Sequence, residues 1–329
     1  MHLVRQRAAS KETVKRCIVF GANGFIGSHV SATLLRAGHS VIACDITRDF
    51  GMIPRGTADR LETVSLDFLD GAVIRDVVRD ADWVFHLVGT TLPASSNANM
   101  VFDVESNLVA SLRLLEACAD SGVSRLVFAS SGGTVYGPPR SVPVCEDAPT
   151  EPIVSYGIVK LAVEKYCSLF SSLRGLKTVC LRLANPYGPR HVGTAQGAIP
   201  VFFKCILADK PVVIWGDGSV VRDYVYVEDV AQAFRLAAEY PGDQRIFNIG
   251  SGVGVSLNQL LTEIQDVVQR PCRIVYEAAR SFDVPQVYLD VSRARKELQW
   301  SPKVALREGL QLTWNAMSGR SQGGAVGAR

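Results

Sequence analysis

CIVFGANGFIGSHVSATLLRAG, Cys17 to Gly38, is the stretch whose reading decides the fold. An apolar run breaks at a glycine turn and resumes as an amphipathic segment that stops at Gly38, which reads as strand, turn and helix. Gly21, Gly24 and Gly27 fall as GxxGxxG. That spacing suits a tight turn, close backbone approach to a pyrophosphate and close packing of helix on strand. Phe25 and Ile26 stand in the same turn, where helix N–H groups and the positive dipole end face the phosphates. A glycine motif alone is a weak signal, but here strand and helix flank it as a dinucleotide site requires.

Outward from this stretch, strands and helices alternate. HSVIACD, TVSLDFLD, DWVFHLVG, SRLVFASS and KTVCLRLAN read as further strands. GAVIRDVVRDA, FDVESNLVASLRLLEACADSG and VSYGIVKLAVEKYCSLFSSL read as helices. This predicts a Rossmann-type, doubly wound parallel α/β sheet covered on both faces. After Asn185 the pattern changes. NPYGPRHVGTAQGAIP reads as an ordered loop, and the following segments mix short strands with helices. RIFNIG reads as one more strand, returning to the main sheet. The expected division is a dinucleotide-binding domain of residues 16–184 and 225–250, and a smaller mixed α/β substrate domain of 185–224 and 251–317. The tails, 1–15 and 318–329, are expected to be disordered.

The 329 residues suit one large domain or two closely joined ones. A net charge of +3 is too small to imply a nucleic-acid partner. No window approaches a membrane span, and no apolar run follows the basic start as a signal peptide would require. The eight cysteines are scattered without a CxxC, which fits reduced core residues in a cytoplasmic protein. The five histidines share no ligand spacing, so a metal site has no support.

Two further stretches carry chemistry. Asp45 ends the second strand, where a carboxylate accepts hydrogen bonds from a ribose and repels a 2′-phosphate, so NAD is expected rather than NADP, with Arg48 close enough to soften the preference. Asp67 and Phe68 follow the third strand and are candidates for the adenine side. Tyr156 and Lys160, in YGIVK, share a helix face. A nearby ammonium, and the cationic ring of an oxidised nicotinamide, favour a phenolate that takes a carbinol proton as hydride leaves.

The glycine turn, the loop SSGGTVYG and the Tyr156/Lys160 pair together resemble the extended short-chain dehydrogenase/reductase family. RLANPYGP, WGDGSVVRDYVYVEDV and FNIGSG resemble its nucleotide-sugar branch, the NAD-dependent epimerases and dehydratases. The resemblance implies a nucleotide-sugar substrate, with Tyr156 as base and Lys160 on the nicotinamide ribose. It puts Asn185 and Arg222 at the substrate diphosphate, Arg280 near the nucleotide, and Asn107 toward the substrate domain. Val287 falls where the family sets sugar size. The resemblance also implies a homodimer, in which helices 103–121 and 155–173 pair into a four-helix bundle.

The SSGGTVYG loop narrows the reaction. The dehydratases of this branch carry an acid pair where this chain has Gly133 and Thr134, and the sugar-acid decarboxylases place a carboxylate in the same loop. Neither is present. A 4-epimerase needs only one base, the cofactor and a steadying hydroxyl, and is the expected activity; a 4-keto reductase and a non-catalytic NAD-binding protein are the rivals. The family's usual Ser or Thr aligns with Gly132. Ser131 as partner of Tyr156 and Thr134 as sugar contact, a water, or no side-chain partner at all remain open. UDP- and dTDP-hexoses are not separated by the sequence, and O-antigen or capsule sugar supply fits any of them.

Overall fold

A computed structural model describes residues 14–53, 58–191, 197–279 and 284–319. Seven strands form the main sheet: β1 (Arg16–Phe20), β2 (Ser40–Asp45), β3 (Leu61–Ser65), β4 (Trp83–His86), β5 (Arg125–Ser131), β6 (Thr178–Leu183) and, much later in the chain, β10 (Ile246–Ile249). Their order is β10-β6-β5-β4-β1-β2-β3, and every pairing is parallel. The expected doubly wound sheet is therefore observed, and the RIFNIG strand does return to it beside β6. The order reverses between β1 and β4, and such a switch point opens a crevice at the carboxyl ends of the strands.

Three of the covering helices are α1 (Phe25–Arg36), α2 (Gly71–Val78) and α5 (Ser155–Arg174). Between α2 and α5 a helix runs as α3 (Met100–Asp103), a π-wound turn (Val104–Val109) and α4 (Ala110–Asp120). The sequence pattern predicts one regular helix here. The π turn differs because side chains take up the backbone carbonyls that it leaves: Ser106 Oγ donates to Phe102 O, Asn107 Nδ2 to Asp103 O and Ser111 Oγ to Asn107 O. π turns of this kind concentrate at functional sites.

The remaining elements follow β6 in the chain, and most of them lie outside the main sheet. They are β7 (Asn185–Tyr187), α6 (Ala198–Leu207), β8 (Val212–Trp215), β9 (Val221–Tyr226), α7 (Val227–Glu239), β11 (Gly254–Ser256), α8 (Leu257–Val268), β12 (Ile274–Glu277), β13 (Gln286–Val287), α9 (Ser292–Glu297) and α10 (Leu306–Ser318). β9 is flanked by β11 and β13 and also pairs with β7, while β8 pairs with β12. The segment read as a loop after Asn185 thus opens with a short strand, since Asn185 to Tyr187 lie alongside Tyr224 to Tyr226. Periodicity could not reveal three residues interrupted by a proline.

Two apolar clusters sandwich the main sheet. One packs α1 and α7 residues such as Val30, Leu34 and Phe234 on Val19 and Phe85; the other packs Ile74, Leu114 and Val163 on Ile18 and Phe128. A third, around Phe203, Tyr224, Leu260 and Trp314, is the core of the later elements. Among the described residues no helix is long and apolar enough to cross a membrane, and no cluster of three metal-ligating side chains occurs.

Candidate active site

A cavity of about 550 Å³ opens at the switch point. Gly21 and Gly24 line its floor, Asp45 and Thr47 one wall, Asp67 and Phe68 another, and Thr90 its far end. Gly21 has φ +80°, and a Cβ on it would meet the Leu87 carbonyl carbon at 3.0 Å. A Cβ on Gly27 would fall 2.0 Å from Gly21 O, so Gly27 serves helix–strand packing and does not line the cavity. Gly24, the N-cap of α1, lends no side-chain cap, and the first turn holds no acidic residue, which suits an anionic pyrophosphate. Phe25 and Ile26 are absent from the described lining: Phe25 stacks on His191 at 4.3 Å, and Ile26 packs on the apolar core. The Asp45 carboxylate accepts the Asn23 N–H at 2.9 Å, and Asn23 Oδ1 accepts Met52 N–H. Asn23 is a lining residue that the glycine pattern alone did not single out. The cradle without side chains, the open helix end and the carboxylate at the end of β2 together fit an NAD dinucleotide.

A second pocket of about 330 Å³ lies beyond Thr90. It brings together Ser131, Thr134, Tyr156, Asn185, Arg222 and Val287. Arg280 lies outside the described residues. Asn185 Nδ2 donates to Asp223 O, and Arg222 Nη1 donates to the carbonyls of Val221 and Val284. Asp223, the neighbour that might have paired with Arg222, is buried and occupied by N–H groups of Ser251, Gly252 and Leu289. Val287 is buried in the pocket wall. Asn107 does not face this pocket: it accepts Thr90 N–H and donates to Thr90 Oγ1 and to the Asp103 carboxylate.

The hydroxyls divide clearly. Ser131, Gly133 and Thr134 line the pocket, but Gly132 is directed away, toward Leu289. Thr134 Oγ1 is buried and has no hydrogen-bond partner. Lys160, one turn after Tyr156 on α5, sits with its Nζ 5.5 Å from the Tyr156 ring centroid and 4.7 Å from that of Phe128, and donates to Ala129 O at 2.9 Å. The expected depression of the Tyr156 pKa by Lys160 is not what the protein itself produces. Burial, aided by the Asp103 charge, raises Tyr156 to about 12. Burial pulls Lys160 down to about 8, against the opposing pull of Asp103 and Glu164. Desolvation is the largest cause at both groups.

The sequence matches the model of the NAD dependent epimerase/dehydratase family over residues 17–250. The chain belongs to that family. Its cofactor is the NAD expected from the glycine turn and Asp45. A UDP-glucose 4-epimerase of Mycolicibacterium smegmatis is 36% identical to this family member over 312 residues, covering 93% of this chain and all of the relative. The crystal structure of a UDP-glucose 4-epimerase of Thermotoga maritima with UDP-glucose superposes with a TM-score of 0.87 at 36% identity, over 92% of this chain and 99% of that one. A Thermus thermophilus UDP-glucose 4-epimerase in complex with NAD superposes at 0.85 with 32% identity, over 93% and 100%.

Proposed function

We propose that this family member is an NAD-dependent 4-epimerase of a nucleotide-activated hexose, UDP- or dTDP-linked, working through a transient 4-keto sugar. The observation that carries the reading is the make-up of the second pocket: its described lining offers Ser131, Thr134 and Tyr156 and contains no carboxylate. Dehydration across C5 and C6 needs an acid for the leaving hydroxyl and a base for the C5 proton. Epimerisation needs a single base and a hydroxyl near the reacting oxygen. The similarity to UDP-glucose 4-epimerases supports a UDP-hexose.

In this reading Tyr156 takes the proton of the C4 hydroxyl and returns it once the keto sugar has presented its other face. Ser131 hydrogen-bonds at the same oxygen, and Thr134 gives its unpartnered Oγ1 to the sugar. Lys160 holds the nicotinamide ribose. Bound NAD supplies the hydride acceptor and donor and, when oxidised, a positive charge that favours the phenolate. Gly21 and Gly24, with the backbone of Phe25 and Ile26 at the start of α1, hold the pyrophosphate, Gly27 lets that helix pack close on its strand, Asp45 holds the ribose, and Asp67 with Phe68 the adenine side. Asn185, Arg222 and Arg280 hold the nucleotide diphosphate, for which the guanidinium fork is suited. Val287 limits the sugar.

The same reading makes 16–184 with 225–250 the cofactor domain and 185–224 with 251–317 the sugar-nucleotide domain, supported by the separate sheet around β9. It also makes the protein a homodimer. Ile158, Tyr166, Leu169 and Leu173 form an exposed apolar face of α5, beside exposed Val101 and Val104. Leu108, Leu112 and Leu115 of the neighbouring helix pack on the core. Eight free cysteines support a cytoplasmic site of action. Leu169→Glu with Leu173→Glu is expected to give monomers in sedimentation; an unchanged dimer would remove this interface.

The deciding experiment incubates the purified protein and catalytic NAD separately with UDP-glucose, UDP-N-acetylglucosamine, dTDP-glucose and dTDP-rhamnose, and follows each sugar by NMR. A mixture of C4 epimers without net NADH is expected. A 4-keto-6-deoxy product, or turnover that consumes stoichiometric NADH, would replace the epimerase reading with a dehydratase or a reductase.

A further inference from the structure

Asp103 is a carboxylate with no exposed surface, at the last α-helical position before the π turn. A buried carboxylate is costly unless it is hydrogen-bonded. This one accepts from Thr91 Oγ1 at 2.6 Å, from Ser155 Oγ at 2.6 Å and from Asn107 Nδ2 at 3.0 Å. Thr91 follows Thr90, which lines the cofactor cavity, and precedes Leu92, which lines the sugar pocket. Ser155 opens α5 directly before Tyr156. Oδ1 holds the strap between the two cavities, and Oδ2 holds the start of the helix that carries Tyr156 and Lys160.

The start of α5 depends on such outside help. Its N-cap, Val154, offers no side-chain acceptor, and the N–H groups of Ser155 and Tyr156 are taken instead by Asn97 Oδ1 and Ser96 Oγ from a neighbouring turn. A negative charge at a helix N-terminus is favourable in itself. We propose that Asp103 is a positioning residue for the Tyr156/Lys160 pair, pinning the first turn of α5 to the strap between the two cavities. The proposal rests on the reading of Tyr156 as the base.

Its charge gives the role a signature. Tyr156 faces Asp103 and Lys160. Lys160 faces Asp103, Glu164 on its own helix and His86 from β4, which burial keeps neutral. A negative charge opposes proton loss from phenol and ammonium alike, so its removal lets both groups deprotonate at lower pH. The acid and alkaline limbs of the kcat profile then move together toward acid. A residue that only braced the fold would lower kcat and leave both limbs in place.

The test compares wild type, Asp103→Asn and Asp103→Glu, each carrying its bound NAD, from about pH 5 to 10. In Asp103→Asn both limbs are expected to move to lower pH by about half a unit or more, with KM within about twofold. Asp103→Glu is expected to restore the limbs at reduced kcat. Limbs that do not move in Asp103→Asn, or a loss confined to KM, would overturn the proposal. If Asp103→Asn does not fold, Ser155→Ala combined with Thr91→Val decides: kcat falling about tenfold or more at constant KM is expected, and unchanged kcat overturns the role. Wild-type protein without turnover would instead overturn the epimerase reading. In that case the ¹³C resonance of labelled Tyr156, assigned with Tyr156→Phe, still reports whether Asp103→Asn shifts its ionisation toward acid.

Discussion

Leu289 occupies the space beside Gly132: a Cβ at position 132 would lie 2.6 Å from Leu289 Cδ1 and 3.2 Å from Arg182 O. Leu289 is fully buried among Val135, Tyr136 and Val144, so it has little room to yield. Restoring the family's hydroxyl with Gly132→Ser is therefore expected to destabilise the fold by about 1–3 kcal/mol through overpacking. It is also expected to leave kcat no higher, because position 132 points away from the pocket. Urea unfolding and steady-state kinetics check both; a stable Gly132→Ser with raised kcat would show that this direction was misjudged. Leu289→Val in the same chain should recover part of the loss, since the two positions share one space.

Removing the phenol oxygen separates binding from chemistry. Tyr156→Phe should retain NAD, because the cofactor cavity is built from other elements, and should lower kcat by about 10²–10⁴. Ser131→Ala should lower kcat by about tenfold or more with little change in KM. Thr134→Val should act mainly on KM, because its oxygen is assigned to the sugar. Reversed effects of the last two would exchange the roles of the two hydroxyls. Full activity in Tyr156→Phe would end the proposed mechanism.

Asp45 lines the cofactor cavity at the end of β2. Its carboxylate already accepts the Asn23 N–H, so it is fixed at the cavity wall before a ribose arrives. Asp45→Ala should weaken NAD by roughly 1.5–3 kcal/mol, the range for a hydrogen bond to a charged group. It should also narrow the gap between NAD and NADP, since the charge that repels a 2′-phosphate is gone. Titration calorimetry on cofactor-stripped protein measures both affinities, and an unchanged NAD/NADP ratio would argue that Asp45 only braces Asn23.

The parts of this protein that the sequence made legible are those set by local pattern. The glycine turn, the alternation of strands and helices, the late return of residues 246–249 to the sheet and the Tyr156/Lys160 spacing all depend on periodicity or on residues a few positions apart. The direction of Gly132 depends on Leu289, far along the chain. The high pKa of Tyr156 depends on burial and on Asp103, which no spacing rule connects to it. Asn107 fits a motif position, yet Thr90 and Asp103 engage it first. Geometry read from a motif holds where neighbours in sequence make the contact, and is incomplete where the fold brings distant groups to the same atom.

His29 ties the cofactor helix to the segment after β7, and the tie is sensitive to acid. Arg190 can only donate, so His29 Nδ1 accepts from Arg190 Nη2 at 3.0 Å, while Nε2 carries the proton and donates to Pro189 O at 3.0 Å. The bond from Arg190 requires the neutral ring, whereas the bond to Pro189 survives protonation and by itself favours the charged form. Burial, then the Arg190 charge, pulls its pKa down from 6.5 to about 4. The unfolded chain protonates His29 below pH 6.5 and the folded chain does not, so the folded state binds fewer protons in that window. The associated stability is fully present above pH 6.5 and is lost as pH falls toward 4, a total of about 3 kcal/mol. His29→Gln should unfold more easily at neutral pH and should show a shallower fall in stability across that window. His86 and His191, also held low by burial, keep their own contributions in the variant, so the difference between the two proteins is the quantity to measure. Parallel urea-midpoint curves for wild type and His29→Gln would place the acid sensitivity elsewhere. Arg190 also donates to Met52 O, in the loop whose Met52 N–H is held by Asn23, so protonating His29 should loosen the wall of the cofactor cavity as well. NADH release on acidification should then be steeper in wild type than in His29→Gln, and the NADH fluorescence gives a second reading of the same proton.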